Sequence, residues 1–135
     1  MNLADPVDTL ARTIYGEARG DGAAGMEAVA SVVCNRLALG GWWGDDVCSI
    51  CLKPEQFDCW DHGDPNLIQI QDVDESDPVF QTALEIAVDA VAGRLPDSVH
   101  GATSYKVTTE PWPRSWGVEV LPVAVVGHQS FYILK

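Results

Sequence analysis

The stretch Tyr15-Gly16-Glu17-Ala18-Arg19-Gly20-Asp21 holds the residue best placed for chemistry, Glu17. It falls near the C-terminal end of a segment that reads as a helix, and a glycine-containing loop follows. A carboxylic acid at the edge of a hydrophobic core loses hydration, which disfavours its charged form and raises its pKa. Such a group still carries a proton near neutral pH and can hand it to a leaving group. The plainer alternative is a solvated helix-end glutamate. Cleavage of a glycosidic bond needs an acid of this kind to protonate the bridging oxygen. One acid suffices where the substrate supplies an internal nucleophile. Hydrolysis normally needs a second carboxylate, for which Asp21 and Glu27 are near in sequence but have no distinguishing context. Tyr15 is a candidate to orient the acid or contact a sugar.

Sugars present apolar ring faces and hydroxyls, so grooves that bind them pair flat aromatics with amides and hydroxyls. Gln56-Phe57-Asp58-Cys59-Trp60 and Ser104-Tyr105 have that composition, as do Trp112 and Trp116. This makes Gln56, Phe57, Trp60, Ser104, Tyr105 and Trp112 candidate substrate contacts. Packing is the competing role for any tryptophan. His128, in Gly127-His128-Gln129-Ser130-Phe131, is a further candidate for substrate or acid. No nucleophile elbow marks a serine hydrolase. Three histidines are too few for a convincing zinc amidase.

The four cysteines include the run Cys48-x2-Cys51-x7-Cys59-x2-His62. Zinc bound by three thiolates and an imidazole is one reading. Free thiols or a disulfide, such as Cys48 to Cys59 with Cys34 and Cys51 left over, is the favoured one. No metal or other cofactor is therefore expected.

The elements that must position these groups follow from periodicity and capping. Asp5-Pro6 is an N-cap followed by proline at the first helical position. Val7, Leu10, Ala11 and Ile14 then repeat at helical spacing, predicting a helix from residue 6 to about 18. Met26, Val29, Ala30, Val33 and Leu37, widened by Val32, predict a second that ends at Gly40-Gly41. Residues 40–76 read as irregular except for a short helix near 47–52. Asp77-Pro78 starts a third main helix, about 78–92, stopped by Gly93. Short strands are expected at 103–108, 118–126 and 129–134, with Pro122 confining part of the middle one to an edge. Helices first and strands last make an α+β domain with a helix-dominated N-terminal part and a small antiparallel sheet near the C-terminus.

A chain of 135 residues fits one domain with a proper core. The formal net charge of −12 and pI of about 4.3 argue against nucleic acid and anionic membrane surfaces as partners. No apolar run is long enough to span a bilayer, and the N-terminus has neither a basic region nor an apolar core of a secretory signal.

With these residues in view, Ala11 to Asp21 and Gly25 to Arg36 resemble the opening of the SleB-type, spore-cortex-lytic cell-wall hydrolase family. Gln56-Phe57-Asp58-Cys59-Trp60 is similar to that family's Gln-Phe-Ser-Cys-Trp segment. Gly101 to Tyr105 and Gly127 to Tyr132 resemble its closing strands. The resemblance implies a lysozyme-like fold and cleavage between N-acetylmuramic acid and N-acetylglucosamine in a peptidoglycan glycan strand. It places the catalytic acid at Glu17. In the lytic transglycosylase route it implies, the same residue then takes the proton of the C6 hydroxyl, leaving a 1,6-anhydro sugar. Hydrolytic muramidase or amidase action, or a non-catalytic wall-binding module, are the alternatives. Lys106, Cys34 and Cys51 depart from the family pattern. A lone catalytic domain without a signal resembles a phage endolysin. The corresponding expectation is a monomer made in a host cytoplasm that acts on the wall after release.

Overall fold

Three Asp-Pro dipeptides start three of the five helices among the described residues, by one device. In each, the aspartate Oδ1 accepts the backbone N–H two residues on. Asp5 accepts from Val7 at 3.0 Å, Asp64 from Asn66 at 2.8 Å and Asp77 from Val79 at 2.8 Å. Proline then supplies a helix-ready φ where no N–H is needed. The computed structural model describes residues 1–134. Its helices are α1 (Pro6–Ala18), α2 (Gly22–Leu39), α3 (Val47–Leu52), α4 (Asn66–Asp72) and α5 (Pro78–Val91). The strands are β1 (Ser104–Val107), β2 (Ala124–Val126) and β3 (Gln129–Tyr132).

Helix α1 is the hub and packs against all four other helices. Its Leu10, Ala11 and Ile14 are buried with Met26, Val29 and Val33 of α2 and Phe80, Ala83 and Ala87 of α5. Each large aliphatic side chain so buried contributes about 1.5–3 kcal/mol. Helix α2 has a second buried face. Ala28 and Val32 lie against Val99, Ala102 and Phe131 under the sheet. This double burial is why its apolar residues occupy a wide arc instead of one stripe.

The sheet is antiparallel in the order β1-β3-β2, with Tyr105 opposite Phe131 and Ala124 also opposite Phe131. The architecture is the expected α+β one, with helices first and a small C-terminal sheet. The second strand in chain order, β2, is much shorter than the span 118–126 read from the sequence. Pairing reaches back only as far as the Val123 N–H on the Phe131 carbonyl, at 2.8 Å. Pro122 lacks a donor to carry it further, and Val118 and Leu121 are exposed.

Helix α4 lies where the sequence predicted irregular chain. Seven residues cannot hold a helix by propensity alone. This one is tied down by α1. The buried Arg12 guanidinium donates from Nη1 to the carbonyls of Ile70 (2.6 Å) and Val73 (2.9 Å), while its Nε bonds Asp8 at 2.9 Å. Arg19 Nη2 reaches Asn66 Oδ1 at 2.7 Å and Gln69 Oε1 at 3.0 Å. Ile70 completes the latch inside the core.

Candidate active site

Glu17 occupies the last turn of α1, partly shielded from water, and lines a cavity of about 720 Å³. Both carboxylate oxygens are held. The Tyr105 hydroxyl donates to Oε1, and the Cys59 backbone N–H donates to Oε2 at 3.3 Å. The two donors come from segments far from Glu17 in sequence, β1 and the short 3-10 turn at Asp58–Trp60. That turn can lie so close to α1 because residue 16 is glycine. A Cβ there would meet Cys59 Cβ at 2.8 Å and Ile70 Cγ2 at 2.9 Å.

Burial pushes the Glu17 carboxyl above its ordinary value, and the charge of Asp58 adds to the rise. The bonds from Tyr105 and Cys59 oppose it without cancelling it. The phenol of Tyr105 is itself pushed well above its ordinary value, first by burial and then by the Glu17 charge. It therefore keeps its proton and acts as the donor. Burial and the same carboxylate also push the Cys59 thiol far up, so it is neutral. The arrangement is an oriented carboxylic acid that can protonate a bound oxygen and accept a proton in return.

Arg36 closes this part of the site. It is almost fully buried, with its Nε on the Thr103 carbonyl at 2.8 Å, just before β1. Its guanidinium lies 4.0 Å from the Trp43 ring centroid and 5.1 Å from that of Phe57. Burial lowers its pKa to about 10, so it stays cationic.

Of the residues predicted for the site, Glu17, Gln56, Ser104 and Tyr105 line the cavity together. Four others lie elsewhere, and a fifth sits beside it. Tyr15 is buried on another face of α1, because two residues along a helix turn a side chain by about 200°. Its hydroxyl donates to Asp77 at 2.7 Å and accepts from Gln69 at 3.2 Å, and its ring meets Phe80 edge-on. Phe57 is a core residue beneath Arg36. Trp60 packs on the helical core with its Nε1 on Thr13 Oγ1 at 2.9 Å. His128 is exposed in the β2–β3 turn, where Nδ1 meets Asp21 Oδ1 at 2.6 Å. Asp21 thereby anchors that turn and, like Glu27, stands outside the cavity. Trp112 supports the wall from behind, edge-on to Trp116 at 5.2 Å and to Tyr132 at 5.0 Å. Trp116 itself reaches the cavity.

Sequence reasoning did not place Arg36, Trp42, Trp43, Asp58 or Lys106 in the cavity. Signals for four of them were present: Trp42 and Trp43 among the aromatics of the irregular stretch 40–76, Asp58 inside the Gln56–Trp60 run, and Arg36 as a cation near the end of an apolar helix. Lys106 lines the wall with Nζ already engaged, donating to the carbonyls of Val107, Thr108 and Glu110 at 3.2, 3.2 and 2.7 Å. The four cysteines are free thiols, Cys51 and Cys59 buried, Cys34 and Cys48 half-buried. Among the described residues no three His, Cys, Asp or Glu side chains converge as a metal ion would need.

A helical body, a small antiparallel sheet and a sheltered acid between them define a lysozyme-like α+β domain. The chain belongs to the cell wall hydrolase family, whose pattern matches residues 20–132. Glu17 lies just ahead of that span, so its place in the site rests on geometry. Two solved structures share the fold. One is the catalytic domain of the germination-specific lytic transglycosylase SleB from Bacillus anthracis. It has a TM-score of 0.68 and 22% identity, over 96% of this chain and 93% of that one. The other is the catalytic domain of the Bacillus cereus SleB protein, with a TM-score of 0.68 and 23% identity, over 96% and 89%. No curated protein sequence matches the chain.

Proposed function

We propose that this cell wall hydrolase cleaves the glycan strand of peptidoglycan between N-acetylmuramic acid and N-acetylglucosamine, with Glu17 as acid and then base. The observation that carries this is the raised, doubly held carboxyl of Glu17 at an aromatic-lined cavity. Protonated Glu17 gives its proton to the bridging oxygen as the bond to the anomeric carbon breaks. The resulting carboxylate accepts the proton of the muramic C6 hydroxyl as that oxygen closes on the anomeric carbon. The product is a 1,6-anhydro sugar, and the route needs no second carboxylate. Family membership and the SleB-like fold support the assignment.

One observation favours a second route. Asp58 also lines the cavity and acts electrostatically on Glu17. As a base it would take a proton from water attacking the same carbon, giving a reducing end.

Digestion of purified sacculi followed by mass spectrometry of the released muropeptides tests both. Anhydro ends support the transglycosylase route and reducing muramic ends the hydrolytic one. Cleaved amides would overturn the glycosidase assignment. Glu17→Gln should lower glycan release by at least ~100-fold, and wild-type activity in that variant would remove Glu17 from its role.

A further inference from the structure

The loop Gly40-Gly41-Trp42-Trp43-Gly44, between α2 and α3, is built to hold two indoles in one pose. Gly40 and Gly41 both have φ of 64° and Gly44 has 128°, conformations that L side chains rarely adopt. The Gly40 N–H closes α2 on the Arg36 carbonyl at 2.9 Å, and the Gly44 N–H closes the turn on Gly41 at 3.2 Å. A Cβ on Gly44 would meet Ile50 Cγ1 at 3.1 Å, so the loop sits tightly on α3.

The two tryptophans differ in what supports them. Trp43 is half-buried under the Arg36 guanidinium. Trp42 stands on Trp43, with centroids 4.8 Å apart and planes at 73°, and Lys53 Nζ lies 4.4 Å from its ring centroid. Yet Trp42 remains 64% exposed while lining the same cavity as Glu17. An indole fixed by a cation on one face and a ring at its edge, but left open otherwise, keeps its other face in water at a hydrophobic cost.

We infer that Trp42 is a stacking platform for a pyranose ring of the glycan strand, at a subsite removed from the bond that is cleaved. A pyranose offers a face of C–H groups that covers such a ring, and the platform loses little entropy on binding because the loop already holds it. Trp116, backed by Trp112 and Tyr132, lines the cavity from the β1–β2 connection, so the strand would meet aromatic surface from two separate loops. The assignment rests on the glycosidase reading for the identity of the ligand, not for the platform's geometry.

The test uses the Glu17→Gln protein, which binds without turnover, and peptide-free glycan strands of graded length. Adding Trp42→Ala should weaken binding of long strands about five- to tenfold and leave the shortest fragments unaffected. Trp42→Phe should restore most of the loss. Equal affinity of Trp42→Ala and its parent for long strands would overturn the inference. So would a loss that is the same at every length, since that is the mark of a merely structural role. Should the platform behave as expected while the wild-type protein releases no sugar ends from sacculi, the glycosidase reading fails alone and Trp42 remains a wall-binding residue.

Discussion

The hydroxyl of Tyr105 donates a hydrogen bond to Glu17 Oε1 across 88 residues of sequence. It joins the first strand of the sheet to the last turn of the first helix. The tyrosine is pinned in turn by β1–β3 pairing opposite Phe131, whose ring centroid is 5.4 Å away. The acid is thus aimed by the sheet as much as by its own helix. Tyr105→Phe removes a bond that favours the carboxylate form, so the pKa of Glu17 should rise further. The rate that needs protonated Glu17 falls as pH passes that pKa, so the alkaline limb of the pH–rate profile should move up. Turnover at the optimum should drop by about 10-fold or more as the acid loses its orientation. A profile unmoved on its alkaline side would show that the bond does not act on Glu17.

Asp58→Asn should move the same limb the other way. Burial is the main reason Glu17 is raised, and the negative charge of Asp58 adds to it. Without that charge the carboxyl ionises at lower pH and activity is lost earlier as pH rises. The two variants therefore bracket the wild type, which a titration of rate against pH reads directly. If Asp58 also activates water, the fraction of reducing ends among the products should fall in the same variant.

Glu17→Gln should be at least as stable as the wild type at neutral pH. A carboxyl whose folded pKa lies above its unfolded value of about 4.5 binds more protons folded than unfolded. Its contribution to stability is present below the unfolded pKa and is lost as pH rises through the folded one. The amide carries no such penalty. Thermal melts at pH 7 should place the variant level with or above the wild type, with the difference shrinking toward pH 4. A large fall in Tm at neutral pH would mean that Glu17 is chiefly structural.

Arg12→Met should be among the most damaging changes outside the cavity. It keeps much of the apolar stem but removes Nη1 bonds to Ile70 and Val73 and the Nε bond to Asp8. Bonds to a charged donor are worth about 1.5–3 kcal/mol each, and the freed carbonyls, in α4 and just after it, lie against the core. A loss of about 3 kcal/mol in urea denaturation is expected. Amide exchange should quicken first in Asn66–Asp72, because that helix has no independent means of holding itself.

Much of the molecule was legible because its cause is local. An aspartate acceptor, a proline and a 3.6-residue repeat lie within a few residues of each other at α1 and α5, which is why both could be bounded closely, whereas α2, without such a cap, was marked by its repeat and its closing glycines. Yet the same signal at Asp64-Pro65 passed unused, since only two apolar residues follow at the right spacing and Arg12 lies 58 residues from Ile70. Glu17 was legible too, as an acid at the end of a helix that must face a core. Its neighbours were not. Tyr15 and Phe57 have the residue types of a sugar site but were turned into the core by helix rotation and by packing beneath Arg36.

What the sequence determined by itself is the helical frame, the small C-terminal sheet, and the presence of one acid worth attention. Which side chains surround that acid was decided only when distant segments met. Periodicity reports which face of an element is apolar, whereas a site is assembled from residues whose shared property is position. Tyr105, Asp58, Arg36 and the two indoles at 42 and 43 reach one hollow because β1, a 3-10 turn and a glycine-rich loop converge around the end of α1. The water they exclude there is what sets the proton affinity of Glu17.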